Sequence, residues 1–427
     1  MSMQVDSTNG EKEIRIQTQD KYKLTYVLFY AFGLLTQVPN NFFVTANAYW
    51  MYKFRDTSHP FDPSNKNKTE LQVQFTSNFS IVSQVITVLF LATTAIFGNN
   101  VAIHKKIIFS LSLMMLMFMI TIVFVVIDTD SWQLEFYGLT LAMGCILNAG
   151  SAISMLSSFQ LCFKFPPSYL VAQLSGQAIC GIFASVIQII SLANGQENVK
   201  INAVIYFGTG TLCILLTILF YLFQRVKSEF FMGYETLIIQ TLQAETPRPL
   251  KELLIEVFHK IKIYLFSMVL VVGTTFLVHP GLTALVQSVG RGSSWNTTYF
   301  LPTITYLLHN VCDLTGRELA MRIKKPCSQT LLFITSIIRI GMVPLLMFCN
   351  ATPRHHLPVV FNSDTAYIIF IFVLSISNGY LFNTSIMGIS TVTTKKDQQY
   401  VFILILVCML SSMMACSIMN SLIIKLI

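Results

Sequence analysis

The sequence predicts an all-α polytopic membrane protein, with eleven transmembrane helices in two bundles of six and five, on three observations. Apolar runs of about 20 residues recur along nearly the whole chain, each long enough to cross the hydrocarbon core as a helix. Of the 427 residues, 54% are hydrophobic and 11% charged, whereas a soluble domain carries about 25% charged residues. The lysines and arginines gather at the ends of the runs, mostly on one side of the membrane.

Residues 1–23 are polar and charged, without the short apolar core and small-residue cleavage site of a signal peptide. The first span, about 24–49, is therefore expected to be an uncleaved anchor after a cytoplasmic N-terminal segment. It places Gln37, Asn41 and Thr45, with Asn40 one residue off, on one face beside Pro39. Amides in hydrocarbon need partners, so this face is expected to meet protein or a water-filled cavity. The second and third spans, about 75–97 and 107–127, are apolar. The fourth, about 133–156, begins a stripe of Asn148, Ser151, Met155 and Ser158, with Gly144, Ala149, Gly150 and Ala152 permitting close helix approach. The fifth, about 169–192, aligns Gln173, Gln177, Gly181, Ala184 and Gln188. The sixth, about 201–223, completes an N-terminal bundle over 24–223.

Residues 224–262 form the longest connection. Leu250, Leu254, Phe258, Ile261 and Leu265 recur at helical spacing among charged residues, which predicts an amphipathic helix on the inner membrane surface. Five spans follow over 263–427, at about 263–278, 296–319, 329–349, 366–391 and 400–426. The eighth span holds Asp313 and Arg317 four residues apart, hence on one face, with Asn310 a turn earlier. An aspartate in mid-membrane costs roughly 2.5 to 3.5 kcal/mol, so the pair marks either a functional site or a tightly satisfied interface. Arg317 also lies near the inner end, where it is able to snorkel to the interface. Arg339 in the ninth span is a third intramembrane charge, expected to bind an acidic residue of another helix. Two bundles joined by a cytoplasmic linker are the architecture of a transporter, with the substrate path between the halves.

The Lys and Arg distribution predicts the N-terminus inside and the C-terminus outside. Three sequons, at Asn67, Asn296 and Asn350, then fall on the outer side as glycosylation candidates. Most of the 9 cysteines lie in apolar spans without C-x-x-C or zinc spacing. They are read as reduced packing residues, and no metal or cofactor is expected. Signatures of hydrolases, metalloproteases and nucleotide-binding loops are missing from the sequence, which argues against an enzyme. The net charge of +8 is explained by topology, so the expected surroundings are a lipid bilayer, with no nucleic acid and no obligate protein partner. The N-terminal segment shows no acidic dileucine signal, which favours the plasma membrane over an organelle.

Several segments together resemble the equilibrative nucleoside transporter family. They are Pro39 to Ala46 (PNNFFVTA), Phe165 to Tyr169 (FPPSY) leading to Ser175-Gly176-Gln177, His279-Pro280-Gly281, Asn310 to Arg317 (NVCDLTGR), Arg339 to Asn350 (RIGMVPLLMFCN), and Ser377 to Leu381 (SNGYL). The resemblance implies a major-facilitator-like fold and facilitated, bidirectional passage of nucleosides, possibly including nucleobases. It carries substrate contact to Asp313, Arg317, Asn310, Asn41, Asn40, Met155, Val44 and Gln177. A structural or gating role is implied for Arg339, Gln37, Asn148 and Asn378. Two departures stand out: Asn40 occupies a position where many members have Trp, and Met155 one where many have a base-binding Gln. A thioether is a poor hydrogen-bond partner, so base recognition is expected to differ or to come from Gln160, Asn148 or Gln177. The alternative within the same resemblance is a proton-coupled or organic-cation carrier, which needs an unpaired membrane carboxylate.

Overall fold

A computed structural model describes residues 4–8, 11–15, 19–59, 68–98, 101–193, 198–234, 250–290, 293–323, 328–354, 356–393 and 398–427. Ahead of the helices, two short strands, Gln4–Thr8 (β1) and Glu11–Arg15 (β2), pair antiparallel. The N-terminal bundle comprises α1 (Leu24–Thr45), the short α2 (Asn47–Lys53), α3 (Glu70–Phe97), α4 (Ile103–Val126), α5 (Gln133–Cys162), α6 (Pro167–Leu192) and α7 (Val199–Lys227). The C-terminal bundle comprises α8 (Leu250–Val278), α9 (His309–Arg322), α10 (Gln329–Ile338), α11 (Met342–Met347), α12 (Asp364–Val392) and α13 (Gln398–Leu426). Among the described residues, 10 helices are long and apolar enough to cross a membrane.

The eighth expected span is not among those 10, yet it is helical throughout. Two π-helical stretches, Trp295–Tyr299 and Leu301–Leu308, run into α9. Its threonines, asparagines and His309 dilute the apolar character, and Pro302 removes one N–H from the hydrogen-bond ladder near the start of the second stretch. Widened turns of this kind are rare and recur at functional sites.

Other boundaries differ for local reasons. The first span breaks at Ala46, and α2 turns Trp50 back so that its indole donates to the Phe43 carbonyl at 2.7 Å. α3 starts at Glu70 because Thr69 and Gln72 form a reciprocal capping box. The expected surface helix is instead the first part of α8, continuous with the seventh span. No glycine or proline interrupts 250–272, and Val257, Ile261, Tyr264 and Leu265 are buried against the C-terminal bundle rather than laid on lipid. The ninth span is divided into α10 and α11 by a 3₁₀ turn at Arg339–Gly341.

Packing within the N-terminal bundle is dominated by aromatic rings from α1, α3, α4 and α7. Phe43 stacks on Phe79 with centroids 5.1 Å apart, and Phe42 on Tyr206 at 4.6 Å. α1 lies against α6 with no side chain between them at two points: a Cβ on Gly33 would overlap the Gln173 carbonyl, and one on Gly176 the Tyr30 carbonyl. α9 and α12 meet in the same manner through Gly316 and Gly379. The two bundles touch along two seams, α3 with α13 and α6 with the eighth span. That leaves the ends of both bundles facing each other across the space between.

Candidate functional site

The glycine contacts bring the α12 backbone onto α9 at the level of Asp313, where the polar side chains of four spans converge. Arg317 Nε donates to Asp313 Oδ2 at 2.8 Å, and its guanidinium lies over the Phe382 ring, 4.7 Å from the centroid. Arg317 therefore turns back toward Asp313 rather than snorkelling outward. The other carboxylate oxygen, Asp313 Oδ1, accepts from Asn378 Nδ2 at 2.6 Å.

Asn378 links this pair to a second cation. Its Oδ1 accepts from Thr275 Oγ1 at 2.7 Å and from Arg339 Nη2 at 3.3 Å. Arg339 is 4% exposed, and each of its nitrogens is engaged: Nε with Ser377 Oγ at 2.9 Å, Nη1 with the Val271 carbonyl, Nη2 with Thr275 Oγ1 and the Leu374 carbonyl. The expected acidic partner of Arg339 is thus replaced by carbonyls, hydroxyls and an amide. With an acceptor on every nitrogen and 4% exposure, such a guanidinium is closed off from a ligand. Arg317 is the opposite case: its side chain is 29% exposed, and its two Nη groups carry no hydrogen bond among the described residues.

One turn from Asp313, His309 Nδ1 lies 2.6 Å from Ser375 Oγ, and its ring stacks on His279 at 4.0 Å between centroids. His279 Nδ1 is 2.9 Å from Thr283 Oγ1. The Ser375 hydroxyl also donates to the Ile371 carbonyl at 2.6 Å, so with its one proton used there His309 Nδ1 is the donor to Ser375. Sequence reading picked out His279 only inside a motif and His309 not at all. The available signal was two histidines in apolar segments of neighbouring spans.

The remaining sequence candidates fall into separate places. Gln37, Asn40 and Asn41 are half-buried on one face of α1. Asn41 Nδ2 donates to the Gln37 carbonyl at 3.1 Å, and Asn40 Oδ1 has no hydrogen-bond partner among the described residues. Gln177 Nε2 reaches Thr36 Oγ1 at 3.2 Å, and Met155 is half-buried on α5. Val44 is buried in the aromatic core. Asn310 donates to the Tyr306 carbonyl at 2.8 Å and presses on α6, where a Cβ on Gly181 would overlap its amide. It therefore sits on the seam between bundles. Two candidates for base recognition are committed elsewhere: Asn148 donates to Ser83 Oγ and the Gly144 carbonyl, and Gln160 Oε1 accepts from the Lys106 ammonium at 2.9 Å. Asn67 lies outside the described residues. Asn350 Nδ2 donates to the Gln287 carbonyl at 3.0 Å, and Asn296 is half-buried. Among the described residues, no cluster of His, Cys, Asp or Glu has the makings of a metal site.

Where α1 and α6 end, a cavity of about 660 Å³ opens between the bundles, lined by residues of both and reaching Tyr306. Seven residues separate Tyr306 from Asp313, about 10 Å along a helix axis. The Asp313 network thus lies about two turns further along the eighth span than the last residue of that span lining the cavity, Tyr306.

A family model described as nucleoside transporter matches residues 141–252 and 240–426. Equilibrative nucleoside transporter 3 of Rattus norvegicus is 29% identical over 384 residues, covering 85% of this chain and 81% of that protein. Equilibrative nucleoside transporter 1 of Homo sapiens is 29% identical over 408 residues, covering 86% and 89%. Among solved structures, an inward-open xylose transporter from E. coli superposes with a TM-score of 0.59 at 10% identity, covering 94% of this chain and 89% of that one. A POT family transporter in complex with 5-aminolevulinic acid gives 0.55 at 11% identity, covering 94% and 90%. At those identities the structural likeness speaks for the major-facilitator-like fold alone.

Proposed function

Because the chain belongs to the nucleoside transporter family, we propose that it is a facilitative nucleoside carrier whose central contact is the Asp313–Arg317 pair, exposed alternately to the two sides by rocking of the bundles. It is a multi-pass membrane transporter and not an enzyme.

The observation that carries the site assignment is the unequal use of the two arginines. Arg339 is consumed by the helices around it, whereas Arg317 keeps both Nη groups for a ligand while Asp313 fixes its Nε. A guanidinium fork beside a carboxylate presents donors and acceptors together, the pattern that vicinal sugar hydroxyls match. Replacing a nucleoside's water hydrogen bonds with these contacts lowers the barrier to crossing without an energy source. Asn41, Asn40, Gln177 and Met155 of the facing bundle complete the cavity wall, with Gln177 the amide nearest to the task that the family gives to glutamine. Val44, Gln37 and Asn148 support that wall, and Asn310 seals the seam.

The organic-cation alternative fits poorly. Asp313, Arg317 and Arg339 sum to one positive charge, so a cationic substrate meets net repulsion. We place the N-terminus in the cytoplasm and the C-terminus outside from the charge bias, and the protein at the plasma membrane. Asn67 is the proposed glycan acceptor, and the expected linker of 224–262 is shortened to end before Leu250, where α8 and the second bundle begin.

Proteoliposomes carrying the purified protein should take up radiolabelled uridine or adenosine down its gradient, equally with and without a pH difference. No flux of either compound refutes the nucleoside reading, and flux lost on collapsing the pH gradient refutes the uniporter. Arg317→Ala should cut uptake at least tenfold at normal expression.

A further inference from the structure

The cavity outside Tyr306 has its own polar lining, separate from the Asp313 network. Asn47, Gln188 and Asn202 come from one bundle, Gln287 and Asn350 from the other. Primary amides carry both donors and acceptors, so this wall suits an uncharged ligand rich in both. Phe300 and Tyr306 close the inner end of the cavity with buried rings. The volume of about 660 Å³ falls within the range of small-molecule sites.

Two residues of the lining carry buried polar atoms that the protein leaves unsatisfied. Asn47 is 8% exposed and Tyr306 2% exposed; both line the cavity, and Asn47 Oδ1 and the Tyr306 hydroxyl have no hydrogen-bond partner among the described residues. Buried polar atoms are ordinarily satisfied, and leaving them unpaired is costly. Lys68 is the sole charged residue among those described in the lining, and it weighs against cations entering.

From these observations we infer that the vestibule between the α1–α6 ends and Tyr306 is a second binding site, which takes a neutral nucleoside before the path to Asp313 opens. The inference rests on the nucleoside reading for its ligand class and on the charge bias for placing this face outside. It adds a docking step: Tyr306 and Asn310 separate the two sites, and the vestibule ligand touches both bundles before they rock apart.

The test uses full-length protein with Gln287→Cys, a half-exposed vestibule position, in three backgrounds: otherwise wild type, Asp313→Ala and Asp313→Asn. A membrane-impermeant thiol reagent is applied from outside, with uridine or with sorbitol as the control, and labelling is corrected for the parent carrying only native cysteines. Uridine should slow labelling at least threefold in all three, because the vestibule fills without Asp313. Protection confined to the wild-type background overturns the proposal, since the effect then arises at the central site. Protection in none, with wild-type uptake intact, overturns it as well. A wild type without uridine uptake refutes the nucleoside reading; in that event protection by uridine still supports a vestibule site, and its absence sinks it.

Discussion

Asn378 is where the network is most exposed to a single substitution. Its amide cannot be turned round: Oδ1 accepts from Thr275 and Arg339, so Nδ2 must face Asp313. Replacing it with Leu keeps the γ-branched shape and leaves Asp313 Oδ1 without its 2.6 Å donor. A hydrogen bond to a charged group contributes about 1.5 to 3 kcal/mol. Arg339 loses only a 3.3 Å contact and keeps Ser377, Thr275, Val271 and Leu374, so the loss falls on the carboxylate. An effect of about 2 to 3 kcal/mol converts to a 30- to 150-fold fall in kcat/KM for uridine. Asn378→Asp puts a second carboxylate in the same place. Two unit charges about 3 Å apart repel by about 6 kcal/mol at an effective dielectric constant of about 20, so at pH 7.5 uptake should fall below that of the leucine variant. At pH 5.5 a shared proton restores a donor between the two oxygens, and part of the uptake should return. The assay is initial-rate uridine uptake into proteoliposomes at symmetric pH, normalised to protein. If Asn378→Leu transports within threefold of wild type, Asp313 does not depend on this amide and the network argument fails. If Asn378→Asp shows no pH dependence, the claim of direct contact fails.

Gly379→Ala drives a Cβ into the Asp313 carbonyl, while nothing lies within 4 Å of a Cβ on Gly208. The first should lower the thermal unfolding midpoint and abolish uptake, with overpacking costing 1 to 3 kcal/mol or more, and the second should leave the midpoint unchanged or raised. Lys53, just beyond the first span, is 1% exposed with its ammonium on the Ile127 carbonyl at 2.7 Å. Burial pushes its pKa down to about 8. The folded protein thus sheds this proton before the unfolded chain does, so stability should be flat below pH 8 and rise between about 8 and 10; Lys53→Met should remove that slope in melting curves. Asn350→Gln should leave the glycosidase-sensitive gel shift intact, because the Asn350 amide is engaged with Gln287 inside the vestibule, whereas Asn67→Gln should abolish it.

What could be read along the chain was what the bilayer imposes locally. Hydrocarbon demands long apolar helices, so the spans stand out, and a spacing of four puts Asp313 and Arg317 on one face whatever surrounds them. The partners of Arg339 were not legible, because Val271, Leu374 and Asn378 sit 68, 35 and 39 residues away in sequence. Helix rotation and depth decide such contacts, and neither is written in a periodicity. The same holds for Asn148 and Gln160. Each reads as a cavity amide from its own helix, and each is claimed by a side chain of another. The π-helical turns before His309 and the break at Ala46 depend on which backbone groups find partners in three dimensions. Gly316 and Gly379 stand in the sequence only inside longer motifs, and nothing there says that they let the carbonyls of Ile376 and Asp313 come into contact with the facing helix.

The two arginines, one buried and one half-buried, show how one charge type serves two ends in a medium that penalises both. A guanidinium in hydrocarbon must satisfy five N–H groups. Arg339 finds its acceptors in two helices, Val271 and Thr275 of α8 and Leu374, Ser377 and Asn378 of α12, and this ties the seventh, ninth and tenth spans to one point. Through Asn378 that point also holds Asp313, so the carboxylate is positioned by a cation that the substrate need never meet. Arg317 can then remain underused at the cleft: Asp313 offsets its charge and anchors Nε, leaving the Nη groups to exchange water for a ligand. Were Arg339 absent, Asn378 Oδ1 would be held by Thr275 Oγ1 alone, and Asp313 would lean more heavily on Arg317. The donors that face the cleft would then be spent on holding the site together.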